Sequence, residues 1–353
     1  MKILAINSTI PNYVVDGLIY GLKKIDGIEV VDIPRMDFLY KDATFDALQK
    51  TGNRGATLYG LLDDVVNVIG KRTFWQRDIE EYDLILFCDI ASDYKLFNQL
   101  YKNKKLSHKL IIIDGYDSPS IFPFFSIKKR LKDEISLFFK CYTKVPYFKR
   151  EFETCYTQYG IKKQKKIIHK ILNYFFSKRM TIPISMSIPA NFIDKSVVEI
   201  KSKSFVDYNV DPFLTSIFNN TNDIGIWKPV YASATDYIID LNNSKFGITT
   251  KRAGWDCLRH YEYAAKGVIL CFKNLHDKPS GCAPFGLSEQ NSIVYSTEHD
   301  LIAKIELLGA TEISKLLNNS FKWVENYSCE KVATYFLQQI DIYFKNLNKH
   351  AIQ

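Results

Sequence analysis

The residues whose types and spacing are best suited to chemistry lie in one loop of the second half of the chain. Lys251, Arg252 and Gly254 follow the apolar segment FGITT. Two cationic side chains can bind phosphate oxygens, and a glycine lets the backbone approach a ligand closely. Asp256 is predicted to cap a following helix, whose first N–H groups would face the same loop. The loop therefore predicts an anion-binding site.

Three charged residues follow this loop at helical spacing. Arg259, Glu262 and Lys266 are three or four residues apart and would share one face of a helix that ends at Gly267. One interpretation is an ion-pair ladder on a solvated surface. The other is a ligand site, with the carboxylate near ribose hydroxyls and the cations near a diphosphate. The spacing alone leaves both open.

The absence of several sequence motifs argues against other kinds of site. The sequence has no GxGxxG after its first strand and no Walker motif, which argues against a dehydrogenase and a P-loop enzyme. None of the six histidines forms HxH or HExxH, and no clear DxD is present. His260, beside Arg259, could contact a phosphate, but a position on the helix surface is favoured. We therefore expect neither a bound metal nor another cofactor.

The elements that must position this chemistry alternate between strands and helices. Continuous apolar runs at 2–6, 29–33, 83–90 and 108–117 are separated by helical patterns, including one at 55–70. This arrangement is typical of a parallel sheet covered on both faces. Ligands of such sheets bind at the carboxyl ends of the strands. The polar residues at those ends are Asn7, Ser8 and Thr9, then Asp89 and Ser92, then Asp114, Tyr116, Asp117 and Ser118.

A basic segment follows the first α/β unit. Residues 161–179 have apolar side chains at helical spacing, and all their ionic side chains are basic: Lys162, Lys163, Lys165, Lys166, Lys170, Lys178 and Arg179. This pattern predicts a basic amphipathic helix. It is interpreted either as the solvated face of a domain helix or as a contact with an anionic membrane surface. Nucleic-acid binding is the least favoured alternative.

The division of the chain follows from a proline-containing segment. Residues 182–193 carry two prolines and predict an extended hinge. The second half then resumes the α/β pattern and finishes in a long amphipathic helix. We predict an N-terminal domain at 1–180, a linker at 181–197, a second domain at 198–328 and a terminal helix at 329–353.

Composition indicates a folded cytoplasmic protein. The 353 residues are 46% hydrophobic and 24% charged, with a net charge of +8 that suits an anionic partner. The seven cysteines include no CxxC pair, which favours reduced thiols. The sequence MKILAIN lacks the pattern of a signal peptide, and no apolar run is long enough to span a membrane. We expect a cytoplasmic protein that is at most peripheral to a membrane.

Residues 244–272 resemble the nucleotide-sugar-binding segment of GT-B glycosyltransferases of bacterial surface-polysaccharide synthesis. In those enzymes a strand and a glycine-containing loop precede a helix of the form R-x-x-E-x-x-A-x-G and a short apolar strand. Here the helix is RHYEYAAKG at 259–267, followed by VILCF. Two further segments are similar to the same enzymes, DGYD at 114–117 and YFKRE at 147–151.

The resemblance implies a fold and a set of roles. It implies two Rossmann-like domains facing across a cleft, with the C-terminal helix crossing back to the N-terminal domain. Glu262 would bind the donor ribose, while Lys251, Arg252 and Arg259 would offset the diphosphate charge and Gly254 would allow close backbone approach. The partners implied are a nucleotide sugar and a glycan or lipid-linked acceptor. No nucleic acid is expected.

The catalytic base is the least constrained part of this hypothesis. If the reaction inverts the anomeric centre, a base must take the proton of the acceptor hydroxyl. Asp89, Asp114 and Asp117 are the candidates, and each is also a plausible turn or cap residue. Many retaining members have a second glutamate eight residues from the first, where this chain has Gly254 and Leu270. This departure puts the retaining mechanism of that subgroup in doubt.

Two other classes of function remain open at this stage. The same frame supports nucleotide-sugar epimerases and pyruvyl transferases, because fold alone does not decide function. A non-catalytic protein that binds membrane or nucleic acid through its basic face is the third hypothesis. It predicts no nucleotide binding.

Overall fold

A computed structural model describes most of the chain. The described residues are 1–8, 11–44, 57–64, 66–118, 121–122, 144–152, 181–196, 201–218, 230–231 and 233–351. The side chains of 66–67 and 347–351 are not described. The basic segment at 161–179 lies outside these ranges, so its predicted helix stays a prediction.

The first half of the chain is built on a six-stranded parallel sheet. Its strands are β1 (Lys2–Ile6), β2 (Glu29–Ile33), β3 (Leu84–Phe87), β4 (Leu110–Asp114), β5 (Tyr147–Lys149) and β6 (Thr181–Pro183), in the spatial order β2-β1-β3-β4-β5-β6. Helices α1 (Tyr13–Lys23), α2 (Val66–Phe74) and α3 (Ile90–Lys102) accompany it. The sheet centre is apolar on both faces, since β3 and β4 are buried along their whole length.

The second half contains a four-stranded parallel sheet. Its strands are β7 (Lys203–Phe205), β8 (Ser244–Thr250), β9 (Ile269–Lys273) and β10 (Ile293–Tyr295), ordered β10-β9-β8-β7. Its helices are α4 (Ala234–Asn243), α5 (Leu258–Ala265), α6 (Glu298–Glu306) and α7 (Ala310–Glu325). The two parallel sheets confirm the predicted fold class.

The last helix, α8 (Cys329–Ala351), returns to the first half and packs against α1. Glycines allow this close approach. A Cβ at Gly21 would lie 2.0 Å from the carbonyl oxygen of Cys329, and one at Gly17 would lie 2.4 Å from the Ser187 hydroxyl. The rings of Phe336 and Phe148 are 4.6 Å apart between centroids. The expected crossing of the C-terminal helix to the N-terminal domain is therefore present.

Two sequence predictions about helices are wrong. The helix expected at 55–70 begins only at Val66, and residues 57–60 form turns. Leu58 and Leu62 are buried through tertiary packing, and Leu62 forms a β-bridge with Tyr40, so their burial does not come from a helix face. Asp256 does not cap α5, because Cys257 holds the cap position without a side-chain bond.

The end of α5 agrees with its sequence. Lys266 is the C-cap, and Gly267 follows it with a φ of +60°, a left-handed conformation that glycine adopts without a steric penalty. The chain then enters the buried strand β9. Among the described residues, no helix is both long enough and apolar enough to serve as a membrane span.

Candidate functional site

A cavity of about 400 Å³ lies where the carboxyl ends of the two sheets face each other. The first half contributes residues that follow β1, β3, β4 and β5, and the second half contributes the loop between β8 and α5. The lining includes Ser8, Asn12, Tyr13, Asp89, Tyr116, Asp117, Arg150, Thr250, Arg252, Gly254, Asp256 and Cys257. The strand ends that the sequence singled out therefore meet in one site, as expected for parallel sheets.

The cationic loop contributes one long side chain to the cavity wall. Arg252 is exposed and lines the cavity, and its Nη1 donates to the Tyr208 hydroxyl at 3.3 Å. Lys251 Nζ lies 5.4 Å from the centroid of the Trp255 ring. Thus the structure brings Arg252 into the cavity and places Lys251 beside it against an aromatic face.

The two halves approach each other closely at Gly254. A Cβ at this position would lie 2.6 Å from Glu151 Oε1 and 2.9 Å from Asp117 Oδ1. Real Cβ atoms do not tolerate those distances, so a larger residue would displace either the two carboxyl groups or the loop itself. Gly254 therefore serves the approach of two parts of the chain to each other, in addition to any approach of a ligand.

Arg150 joins the two halves from a fully buried position. Its side chain is 1% exposed. Nε donates to the Gly115 carbonyl at 3.1 Å, and Nη1 donates to the Asp256 carbonyl at 2.8 Å. Nη2 is paired with Asp117. A single guanidinium therefore connects the end of β4 with the start of α5.

Glu151 and Asp256 bring two buried carboxyl groups to the same junction. Glu151 Oε1 accepts from the Asp256 backbone N–H at 2.8 Å and from Arg150 Nη1 at 3.3 Å. Asp256 accepts from the Met186 N–H and from the Tyr261 hydroxyl, both at 2.9 Å. Burial raises the pKa of Glu151 to about 7 and also raises the pKa of Asp256.

Arg259 and His260 lie inside the second half. Both are buried, and both contact the Thr249 hydroxyl, Arg259 Nη2 at 3.2 Å and His260 Nε2 at 2.7 Å. The expectation that His260 lies on a helix surface is wrong. Burial, and then the charge of Arg259, lower the pKa of His260 well below its usual value, so its imidazole is neutral.

Glu262 is held by one residue from each half of the chain. Its Oε2 accepts from the Tyr237 hydroxyl at 2.8 Å and its Oε1 from the Thr57 hydroxyl at 3.0 Å. Arg259, Glu262 and Lys266 are 6%, 6% and 8% exposed. The interpretation of these three residues as a solvated ion-pair ladder is therefore wrong.

The three candidate bases have different surroundings. Asp89 caps α3 through Ser92, accepts from the Tyr116 hydroxyl at 2.6 Å and lines the cavity. Asp114 is fully buried, is not among the lining residues, and pairs with Lys149 at 2.8 Å. Asp117 lines the cavity with a half-exposed side chain.

Sequence reasoning missed several residues of the site. Asn12 and Tyr208 were not assigned any role, Tyr116 was named only as one of the polar residues at a strand end, and Thr57 was placed inside a helix. Arg150 and Glu151 belonged to a segment noted only for its similarity to other enzymes. The available signal was the adjacent Arg and Glu directly after a strand, because charged residues that become buried in a protein usually have charged partners.

The part of the chain that the structure describes contains no candidate metal site. There, no three His, Cys, Asp or Glu side chains converge as metal ligands would. The expectation of a metal-independent site stays a prediction.

The fold is shared with solved glycosyltransferase structures. A glycosyltransferase from Rickettsia africae is 12% identical, with a TM-score of 0.58 over 98% of this chain and 99% of the other. HepE of Anabaena in complex with UDP-glucose is 12% identical, with a TM-score of 0.50 over 98% of this chain and 100% of the other. HepE with UDP is 11% identical, with a TM-score of 0.51 and coverages of 97% and 100%.

The similarity does not extend to the sequence level. No protein-family model matches the chain, and no curated protein matches it. At 11–12% identity the solved structures establish the GT-B architecture of two facing α/β halves.

Proposed function

We propose that this protein is a glycosyltransferase that moves a sugar from a nucleotide-sugar donor to an acceptor bound in the cavity between the two sheets. One observation carries the proposal. The second half contributes Arg252 and the loop before α5 to the cavity lining, and the first half contributes the carboxylates Asp89 and Asp117. Glycosyl transfer requires both kinds of group, a cation for the leaving diphosphate and a carboxylate for the proton of the acceptor hydroxyl.

The first wall suits the leaving nucleoside diphosphate. Cleavage of the bond between sugar and diphosphate develops negative charge on the leaving group, and cations already in place stabilise it most. Arg252 and Lys251 supply that charge at the end of β8, near the N-terminal end of α5. No bound metal is proposed, and activity should persist in EDTA.

The ribose is proposed to bind at Glu262. In the structure the Thr57 hydroxyl holds one oxygen of this carboxyl group. A ribose hydroxyl offers the same kind of donor, so donor binding would exchange the Thr57 contact for a ligand contact. Arg259, stacked over the Tyr208 ring at 5.3 Å, would support the diphosphate from behind.

The acceptor wall has one carboxylate better suited than the others to act as a base. Asp117 is half-exposed to the cavity and pairs with Arg150 through Oδ1, whereas both oxygens of Asp89 accept hydrogen bonds, from Ser92 and Tyr116. Asp114 is enclosed with Lys149. We therefore favour Asp117 as the group that takes the acceptor proton.

A thermal-shift panel of nucleoside diphosphates and nucleotide sugars tests the donor site. UDP and UDP-glucose come first, because HepE was solved with both. Ligands that bind the folded state raise the unfolding temperature. Arg252→Ala should weaken the binding of the stabilising ligand about 10- to 100-fold, since a hydrogen bond to a charged group contributes about 1.5–3 kcal/mol.

Arg77→Ala is the matched control. Arg77 is exposed and pairs only locally with Asp78, and it precedes β3 at the edge of the sheet away from the cavity. The control should bind as wild type does. A wild-type protein that no member of the panel stabilises would refute the proposed function. Turnover of the nucleotide sugar to an isomer without acceptor would instead identify an epimerase.

The acceptor is proposed to be a glycan or lipid-linked molecule of cell-surface polysaccharide synthesis, met at the cytoplasmic face of a membrane. The support comes from the basic residues at 161–179, which suit an anionic surface. Sedimentation with vesicles of anionic or neutral lipid tests this. Equal sedimentation with both lipids would contradict it.

A further inference from the structure

Glu151 is a buried acidic residue in contact with the loop that is proposed to bind an anion. Its carboxyl group comes from the first half of the chain, yet it is bonded to the loop that carries Lys251 and Arg252. Oε1 accepts from the Asp256 N–H, and it lies 2.6 Å from where a Gly254 Cβ would be. The carboxyl group therefore helps to set the position of this loop.

The charges around Glu151 do not cancel. Arg150 is the cation in contact with it, at 3.3 Å, and Arg150 is also paired with Asp117. The Asp256 carboxyl group is a third acidic group near the Arg150 charge, although the bond from Arg150 Nη1 goes to the Asp256 backbone carbonyl. With all three ionised, three carboxylates face the Arg150 guanidinium and the Lys278 ammonium group, leaving a local excess of one negative charge.

Other ionisable groups face Glu151 from the packed elements. Lys278 and the Cys282 thiol approach from the loop after β9, and Lys149 approaches from β5 but is paired with Asp114. The Cys282 thiol favours the ionised carboxylate by donating to it. Among the described residues, these contacts do not overcome burial, since Glu151 is 2% exposed.

We propose that Glu151 is a positioning residue that becomes protonated when the donor binds, so that binding of a nucleotide diphosphate takes up one proton. This inference rests on the proposed function. A diphosphate bound beside Arg252 adds negative charge to a region that already has an excess of negative charge. Protonation of Glu151 removes one of these charges at the lowest cost in free energy. The neutral carboxyl group keeps Oε1 as an acceptor for the Asp256 N–H, so the loop stays in place.

The direction of the effect on pH dependence follows from this. In the free protein Glu151 has a pKa of about 7, and a nearby diphosphate raises that pKa further. Binding therefore weakens as pH rises from 6 to 8, with a limit of about tenfold per pH unit for one proton. We expect the Kd to rise about fivefold or more over this interval.

The test measures the Kd of UDP-glucose by calorimetry at pH 6, 7 and 8, or of another nucleotide sugar if the panel selects one. A nucleotide sugar is used because its diphosphate is a diester and does not titrate in this range. Measurement in two buffers of different ionisation enthalpy gives the number of protons taken up. The wild type should take up a fraction of a proton that increases from pH 6 towards pH 8.

Glu151→Gln is the decisive variant, since the amide keeps the acceptor oxygen and cannot ionise. It should bind with nearly the same Kd at pH 6 and 8, at least as tightly as wild type at pH 8, and without proton uptake. Glu80→Gln is the control, because Glu80 is exposed and pairs with Lys105 just before β3. It should retain the pH dependence of the wild type.

The outcomes separate the two proposals. If no nucleotide sugar binds to the wild type, the proposed function fails, and this inference fails with it. If binding occurs but Glu151→Gln retains the wild-type proton uptake, only the inference is overturned. Should that variant not fold, the wild type decides, because binding without proton uptake at pH 7 overturns the inference.

Discussion

At the scale of single residues, Thr57 and Glu262 make a contact that a donor would have to replace. Thr57→Val removes the hydroxyl and keeps the shape of the side chain. The ribose then no longer competes with Thr57 for Glu262 Oε1, which now accepts at 3.0 Å. We expect nucleotide affinity to increase about two- to tenfold, since one such hydrogen bond contributes about 0.5–1.5 kcal/mol.

Titration calorimetry with the nucleotide from the thermal-shift panel measures this change. Thr334→Val is the control, because Thr334 is exposed on α8 and its hydroxyl donates only to the Glu330 carbonyl of its own helix. It should leave the Kd unchanged. Weaker binding by Thr57→Val would mean that Thr57 contacts the ligand itself, contrary to the exchange proposed for Glu262.

Residue types were predicted better than residue partners. Arg252, Gly254, Asp89 and Asp117 were singled out from the sequence, because cations, glycine and strand-end carboxylates have local signatures, and all four line the cavity. It could not show that Glu262 bonds to Thr57, which is 205 residues away. Such partners are fixed by tertiary packing.

At the scale of elements, the contact between α1 and α8 depends on a missing side chain. In Gly21→Ala the added Cβ would lie 2.0 Å from the Cys329 carbonyl oxygen, a backbone atom that cannot rotate away. The helices must then move apart. We expect the free energy of unfolding to fall by about 1–3 kcal/mol, the usual cost of overpacking.

Gly70→Ala provides a matched control on α2. A Cβ at Gly70 meets no atom within 4 Å, and the residue is exposed within a helix. Alanine there should stabilise the protein by about 0.5–1 kcal/mol through helix propensity. Chemical denaturation measures both variants. Equal stability changes in the two would show that α8 does not depend on close packing with α1.

Elements with a continuous apolar pattern were predicted well, and short irregular ones were not. β1, β3, β4 and β9 are buried strands with little competing pattern. The segment at 55–70 has helical spacing, but Leu62 pairs with Tyr40 in a β-bridge and only the part from Val66 is helical. Packing against a distant segment overrode a local preference there.

At the scale of the whole molecule, two further connections join the halves besides the bond between Thr57 and Glu262. The first connection is where the chain passes from the first half to the second, beside the start of α8, which returns to the first half. There the Cys329 N–H donates to the Ile188 carbonyl at 2.8 Å. The second connection is the junction at Arg150, where the Ala283 N–H also donates to the Arg150 carbonyl. The Arg150 junction holds the two halves together around the cavity.

The Arg150 junction should therefore determine whether the protein unfolds as one unit. Arg150→Met keeps much of the side-chain volume but leaves Glu151 and Asp117 without their cation. Removal of one partner from a buried ion pair costs about 3–5 kcal/mol. We expect one calorimetric unfolding transition in the wild type, and two transitions at lower temperature in the variant, because each half retains its own sheet and core.

Arg77→Met is the control for the loss of a charge, since its exposed pair with Asp78 lies within one segment. It should unfold as the wild type does. If Arg150→Met still unfolds in one transition, the halves are coupled mainly through α8 packing on α1. Addition of a nucleotide sugar distinguishes the cases further: a ligand held by both halves should merge the two transitions of Arg150→Met into one, because it binds only when both walls of the cavity are formed.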